Sequence, residues 1–194
     1  MRIIMKKFIS IVENFLPMDE FQKYLNYSKE TQKWGNRIPN DNWSGRVIYE
    51  PSQNNFNYLQ SVENRIKTDF EITKTIYPDY LGLVKWEMGD VQYPHADGEL
   101  ENGIQHEFYW RNFGCVLYLN DDYEGGEIYF PTHNLEIKPK PNTLVFFPGT
   151  LEYLHGVREI TNGIRYTLTS FWTYNHKFSM NGYENSTMSI GSNS

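Results

Sequence analysis

The sequence predicts a mainly β fold, a double-stranded β-helix (jelly roll) resting on N-terminal supporting helices, and so an α+β class. Three observations carry that expectation. Two stretches in residues 1–80 repeat apolar side chains at helical spacing, residues 81–174 switch to short apolar runs parted by turn signals, and 194 residues is the length of one domain. A chain of that size buries about 70% of its extended surface on folding. The expected organisation is therefore a single domain over residues 1–178, with helical support in 1–80, a jelly-roll core in 81–174 and a flexible tail in 179–194.

Taken in order, residues 8–12 read as a short strand, and Asp19-Glu20 then opens a segment in which Phe21, Tyr24, Leu25 and Ser28 lie near helical spacing. Acids at a helix start favour its positive end, and Pro17 is tolerated at a first turn, which predicts a helix over residues 18–30. Residues 31–44 carry Gly35, Pro39, Asn40, Asp41 and Asn42 and read as a loop or irregular lid. Phe56, Leu59, Val62, Ile66 and Phe70 recur every three or four positions, so a second amphipathic helix should cover an apolar sheet face.

Strands are expected at residues 81–86, 113–119, 127–130, 135–138, 144–147 and 165–174, with turns at Gly125-Gly126 and Pro141-Asn142. On the last of them Tyr166, Leu168 and Ser170 oppose Thr167, Thr169 and Phe171, because side chains alternate across a strand. Such a series fits a jelly roll whose mouth holds a small ligand. Residues 179–194 are almost all small or polar and offer too little apolar area to fix themselves.

Composition removes several classes. Net charge is -6 with no basic block, so the long-range field repels phosphate backbones and nucleic acid is a poor candidate partner. Apolar runs such as 144–147 are far too short to cross a bilayer, and Lys6-Lys7 interrupts the start before a signal-peptide core can form. The expected location is the cytoplasm, with no membrane partner. Cys115 is the only cysteine, which excludes an internal disulfide, and its apolar neighbours mark a buried structural thiol.

His95-Ala96-Asp97, joined far downstream by His155, is the chemically pointed feature. Across one intervening residue an extended backbone turns both side chains to one face. Two neutral imidazoles and one carboxylate suit a non-haem ferrous ion and leave three coordination positions open. His-x-Asp alone occurs often in polar loops; the downstream His155 and Arg165 sharpen it. Zinc takes similar donors for hydrolysis, but no His-Glu-x-x-His motif accompanies them, and a strand arginine is better matched to a dicarboxylate. Arg165 in an aromatic-lined barrel can grip a distal carboxylate with two charge-assisted hydrogen bonds while the other end of the ligand chelates the metal, which asks for 2-oxoglutarate. Thr167 shares the arginine's strand face, whereas an exposed guanidinium is the ordinary alternative. His106, His133 and His176 have no such spacing and read as structural or surface residues.

Three stretches, Trp86 to Asp97, Leu117 to Glu127, and Phe147-Pro148-Gly149 through His155 to Arg165, resemble the 2-oxoglutarate and Fe(II)-dependent dioxygenases, in their prolyl 4-hydroxylase-like branch. The similarity spans about residues 8–174. It implies iron ligands at His95, Asp97 and His155, and a distal-carboxylate residue at Arg165, where prolyl hydroxylases usually carry lysine. The family's tyrosines nine and three residues before the first iron histidine are replaced by Trp86 and Gln92, with Tyr93 shifted by one; Gln92 can offer an amide instead, while the shift turns the Tyr93 ring to the other face. Trp86, Gln92, Tyr93 and Thr167 are the further co-substrate candidates. Glu124-Gly125-Gly126-Glu127 resembles the segment that shapes the entrance beside the iron.

The resemblance further implies Fe(II), 2-oxoglutarate and dioxygen, with ascorbate as an accessory reductant, and hydroxylation of an aliphatic carbon with release of succinate and carbon dioxide. A carboxylate at Asp97, rather than glycine or alanine, blocks the position a halide would need and favours hydroxylation. The leading target is a prolyl residue in a peptide or protein. Loops at 34–43 and 99–111 are expected to wall the substrate, with Trp43, Tyr109 and Trp110 as stacking candidates and Arg111 facing either a substrate carboxylate or Asp121 and Asp122. A free amino acid or small metabolite is the alternative substrate, and a non-catalytic metal- or protein-binding jelly roll the alternative class.

Overall fold

The computed structural model describes residues 3–6, 8–39, 43–49, 55–100, 104–180 and 183. Strands β1 (Ile3–Lys6) and β2 (Ile9–Glu13) precede helix α1 (Met18–Glu30); β3 (Ile38–Pro39) and β4 (Ser44–Tyr49) follow, then α2 (Phe56–Asp69). The rest of the chain is β5 (Tyr77–Trp86), β6 (Gln92–His95), β7 (Phe113–Tyr118), β8 (Tyr123–Gly125), β9 (Ile128–Phe130), β10 (Leu135–Ile137), β11 (Thr143–Pro148), β12 (His155–Val157), β13 (Ile160–Gly163) and β14 (Arg165–Thr173).

An eight-stranded sheet in the order β1-β2-β11-β7-β14-β5-β4-β3 faces a four-stranded sheet, β10-β9-β12-β6, with β13-β8 as a separate pair. This is the expected jelly roll. Both helices lie on the outer face of the large sheet: Phe21, Tyr24, Tyr58, Leu59, Val62 and Ile66 meet Leu83, Leu117, Leu144, Phe146, Leu168 and Trp172 in one core. A second core, with Tyr118, Phe130, Val145 and Phe147, fills the space between the sheets.

The alternation expected for the last strand holds in β14. Tyr166, Leu168 and Trp172 enter the helix-side core, and Arg165, Thr167, Thr169 and Phe171 line the interior cavity. Because side chains alternate, one helix-covered face leaves the other free to build a site.

The structure adds strands the sequence reading did not name, among them β1, β3, β12 and β13, and differs from it in further details. Residues 44–49, of which only Ser44 belongs to the expected loop and the rest carry no sequence assignment, form β4, because Val47 and Ile48 pair with Val84 and Leu83 of β5. Strand β5 begins at Tyr77, since Pro78 is accommodated beside the register shift between Phe171 and Trp172. Past residue 178, the Met180 N–H donates to the Pro78 carbonyl at 2.7 Å, and Tyr183 is buried against Trp172. Packing therefore reaches at least Tyr183, and the rest of the expected tail lies outside the described residues. Among the described residues no helix is long and apolar enough to cross a membrane.

Candidate metal centre

Strand pairing brings the distant donors together. His155 on β12 lies directly opposite His95 on β6, and their ring centroids are 4.4 Å apart. Asp97, just beyond β6, places Oδ1 3.5 Å from His95 Nε2 and 3.7 Å from His155 Nε2. One ligand atom from each residue lies within 4.8 Å of the others, so a single ion between them can be reached by all three.

Backbone carbonyls set the orientation of both rings. His95 Nδ1 donates to the Tyr93 carbonyl at 3.0 Å and His155 Nδ1 to that of Tyr153 at 3.2 Å, which leaves each Nε2 as the ring atom that a metal between the rings and Asp97 would use. Burial pushes the His155 imidazole down to about 4, keeping it in the neutral form a metal requires. Burial works to raise the Asp97 carboxyl, but at the low pH where that carboxyl titrates both imidazoles carry protons, and in the metal-free protein the charge of His155 and the hydrogen bond from protonated His95 prevail and hold it below the usual range. Asp97 Oδ2 is buried with no hydrogen-bond partner, an arrangement a cation resolves. The donor set therefore fits iron(II).

Gly114 on β7 makes room for this carboxylate. A methyl group there would overlap Asp97 Oδ2 and press on the Phe147 ring at 3.0 Å.

The same cavity, about 500 Å³ in volume, is lined by Arg165 and Thr167. Arg165 is 1% exposed. Its guanidinium lies 4.9 Å from the ring centres of both Trp86 and Tyr118, and Nη2 donates to the Tyr118 hydroxyl at 3.2 Å. Nε and Nη1 are buried without an acceptor, and no acid among the described residues pairs with the group. An enclosed cation with two unused donors is built for an anion. Gly126 completes its seat: with φ of 69° it lies against the arginine stem, where a Cβ would come within 3.1 Å of Cδ. In the segment read as shaping the iron entrance, Gly126 thus packs beside the arginine stem.

Of the other candidates, Gln92 is in the cavity, its Nε2 3.1 Å from His95 Nε2, and Trp86 lies register-opposite Arg165. Tyr93 is not brought in. Its side chain is 54% exposed and off the cavity, as the one-residue shift requires, and only its carbonyl serves the site.

The substrate wall also differs in detail. Trp43 lines the cavity, but Trp110 stacks on Phe178 at 3.9 Å and Tyr109 packs edge-on against the same ring. Phe108, Tyr80 and Phe171 take their expected place. Arg111 pairs with buried Asp79 at 3.1 Å, not with Asp121 or Asp122, and its guanidinium lies 3.9 Å and 3.8 Å from the ring centres of Phe108 and Phe171. His106, read as structural, is also at the cavity, where Nδ1 accepts the Phe108 N–H. Sequence reasoning missed Tyr118 and Asp79. Tyr118 could have been found from its inward parity on β7, whereas Asp79 has no sequence signal.

A family comparison decides the class. The pattern of the 2OG-Fe(II) oxygenase superfamily matches residues 81–174, the stretch that contains every metal and arginine donor just described.

Residues 81–174 are a 2OG-Fe(II) oxygenase domain.

Among curated relatives of this chain, prolyl 3-hydroxylase 2 of Rattus norvegicus is 26% identical over 152 residues, covering 68% of this chain and 22% of that protein. Prolyl 3-hydroxylase 1 of Homo sapiens is 25% identical over 156 residues, covering 70% and 21%. The chain thus spans under a quarter of the length of these relatives. Solved structures share the fold. A viral collagen prolyl hydroxylase from Paramecium Bursaria Chlorella virus-1, determined as its 2OG complex, superposes with TM-score 0.66 at 17% identity, covering 86% of this chain and 96% of that one. A prolyl-4-hydroxylase of Pseudomonas putida gives 0.65 at 16% identity, covering 86% and 92%. A Trichoplax adhaerens prolyl hydroxylase, in complex with a hypoxia inducible factor peptide fragment, gives 0.66 at 15% identity, covering 97% and 89%.

Proposed function

We propose that this chain is a 2-oxoglutarate- and Fe(II)-dependent hydroxylase of aliphatic carbons, acting on a prolyl residue in a peptide or protein. One observation carries the reading: the buried, acid-free guanidinium of Arg165 opens into the same cavity as His95, Asp97 and His155. A three-donor metal site beside an anion site is what a chelating keto-dicarboxylate needs.

When bound, the iron and its co-substrates supply oxidative decarboxylation of 2-oxoglutarate by dioxygen to succinate and carbon dioxide, with one oxygen atom passing to the substrate carbon. His95 and His155 would each offer Nε2 to the ion, and Asp97 an anionic oxygen. Arg165, with two guanidinium nitrogens lacking an acceptor and the rings of Trp86 and Tyr118 behind it, would hold the distal carboxylate. Thr167, on the same strand face, adds a hydroxyl. Burial pushes the Tyr118 phenol up to about 12, so it stays protonated and can donate toward the same anion. Gln92 sits where its amide meets a ligand placed next to His95. Trp43, Tyr80, Phe108 and Phe171 present ring faces suited to packing on a pyrrolidine and to keeping water from the reacting carbon. The names of the curated relatives, and a structural neighbour with a peptide seated in it, support a prolyl target.

The test is turnover of Fe(II)-loaded protein with 2-oxoglutarate on a panel of proline-containing peptides and free amino acids. Product mass and succinate are followed together. A gain of one oxygen atom on a peptide prolyl residue, matched by succinate, is expected. Oxidation confined to free amino acids would overturn the substrate assignment, and absence of succinate from verified metal-loaded protein would overturn the enzymatic one.

A further inference from the structure

Residues 31–37 form an extended strap between α1 and β3, and they lead into Ile38, which with Trp43 lines the cavity. Around Gly35 the strap is held by two hydrogen bonds, the Gly35 N–H to the Val47 carbonyl at 3.3 Å and Arg46 Nη1 to the Gly35 carbonyl at 3.1 Å, while Trp34 packs on the edge of the helix-side core with its ring 5.9 Å from that of Tyr166. Arg37 differs. Its Nε donates to Asp90 Oδ1 at 2.8 Å and its Nη2 reaches the same oxygen.

Asp90 is completely buried. Its other carboxylate oxygen accepts the Glu87 N–H at 2.7 Å and its carbonyl the Ile160 N–H at 2.9 Å, so it is the hub of the turn that leads into β6. That strand carries Gln92, bridged to Trp43, and His95. The next residue back, Val91, accepts the Ser44 N–H at its carbonyl and donates its own N–H to Ser44 Oγ. Arg37 is the one cation paired with Asp90 among the described residues. Without it Oδ1 would be a buried acceptor with no donor, and such a group draws in water or moves toward it.

We propose that the Arg37–Asp90 pair is a positioning latch, which sets the substrate-side wall of Ile38 and Trp43 against the strand that presents His95. The pair touches no reacting atom. Arg37 acts through the wall, deciding how tightly the prime substrate is held and how much co-substrate is consumed without it. What the wall encloses rests on the hydroxylase reading, whereas the latch itself rests on contacts within the chain.

The parent chain, Arg37→Ala, Arg37→Lys and Arg65→Ala are compared. Arg65 pairs with Asp69 on α2, away from the cavity, and serves as the comparison for destabilisation alone. Hydrogen exchange is read at Gly35, Ser44 and Val91, and turnover uses a (Pro-Pro-Gly) repeat peptide as probe. In Arg37→Ala, exchange at those three amides should rise about tenfold or more while β7 and β14 keep their protection. KM for the peptide should rise about tenfold with kcat within about threefold, and succinate formed per hydroxylated peptide should increase, because the wall and not the chemistry has moved. Lysine keeps the charge but loses the two-nitrogen contact, so Arg37→Lys should recover part of each change. Arg65→Ala should lower the melting temperature and move none of them.

Unchanged exchange at Gly35, Ser44 and Val91 would overturn the latch, as would the same KM shift in Arg65→Ala. If the peptide is not hydroxylated by the parent protein, the hydroxylase reading fails for that probe while the exchange measurement still decides the latch.

Discussion

Replacing Arg165 by methionine should act in opposite directions with and without 2-oxoglutarate. Without it, the guanidinium is 1% exposed, has two nitrogens lacking acceptors and is held by two ring faces and a single 3.2 Å hydrogen bond. Exchanging an uncompensated buried charge for an apolar chain of similar length should leave the protein as stable or more so, by about 1–3 kcal/mol. With it, the variant loses the partner of the distal carboxylate, a loss of about 3–5 kcal/mol that raises the dissociation constant by roughly two to three and a half orders of magnitude. Thermal unfolding with a redox-inert divalent metal separates the two. At about 100 times its dissociation constant, 2-oxoglutarate should stabilise the parent by about 2.7 kcal/mol, or roughly 5–11 °C for a chain of this size. At the same concentration the variant should gain less than about 2 °C. A variant that kept half the parent's shift, or that melted several degrees lower without ligand, would show the guanidinium to be a structural group and refute the reasoning.

Three further outcomes are expected. Gly114→Ala should displace the Asp97 carboxylate and weaken metal binding by about tenfold or more with little change in fold, as read by calorimetric titration and circular dichroism. The pH dependence follows from His155, pushed by burial from 6.5 down to about 4. The unfolded chain takes up that proton first, so the stability of metal-free protein should fall as pH drops from about 6.5 to 4, by up to about 1.4 kcal/mol per pH unit. The raised pKa of His95 works against this slope, and the lowered one of Asp97 adds a loss of the same sign only below about pH 3.8. Urea midpoints at several pH values should show this slope, flattened in His155→Gln. Finally, Ile66→Ala empties a fully buried site between α2 and the large sheet and should cost about 2–5 kcal/mol in urea unfolding, with metal and 2-oxoglutarate affinities unchanged.

Both helices were legible because their cause is local. Leu59, Val62 and Ile66 share a face by spacing alone, and that face is the one buried. The same holds for β14, whose two-residue alternation separates Leu168 in the helix-side core from Arg165 and Thr167 in the cavity. Strand β4 was not legible, since a short run after a loop acquires its identity only by pairing with β5.

By itself the sequence determined the donor chemistry: two imidazoles, one carboxylate and a guanidinium on extended segments, together with the parity that turns Tyr93 outward. The tertiary structure alone decided what surrounds them. That His155 faces His95, that Trp86 and Tyr118 flank Arg165, that Arg111 turns to Asp79 and Arg37 to Asp90 are all consequences of register between residues far apart in the chain. Residue type and spacing act through the backbone over a few positions, whereas these pairings are set by which strands meet and where each begins, and no local pattern encodes that.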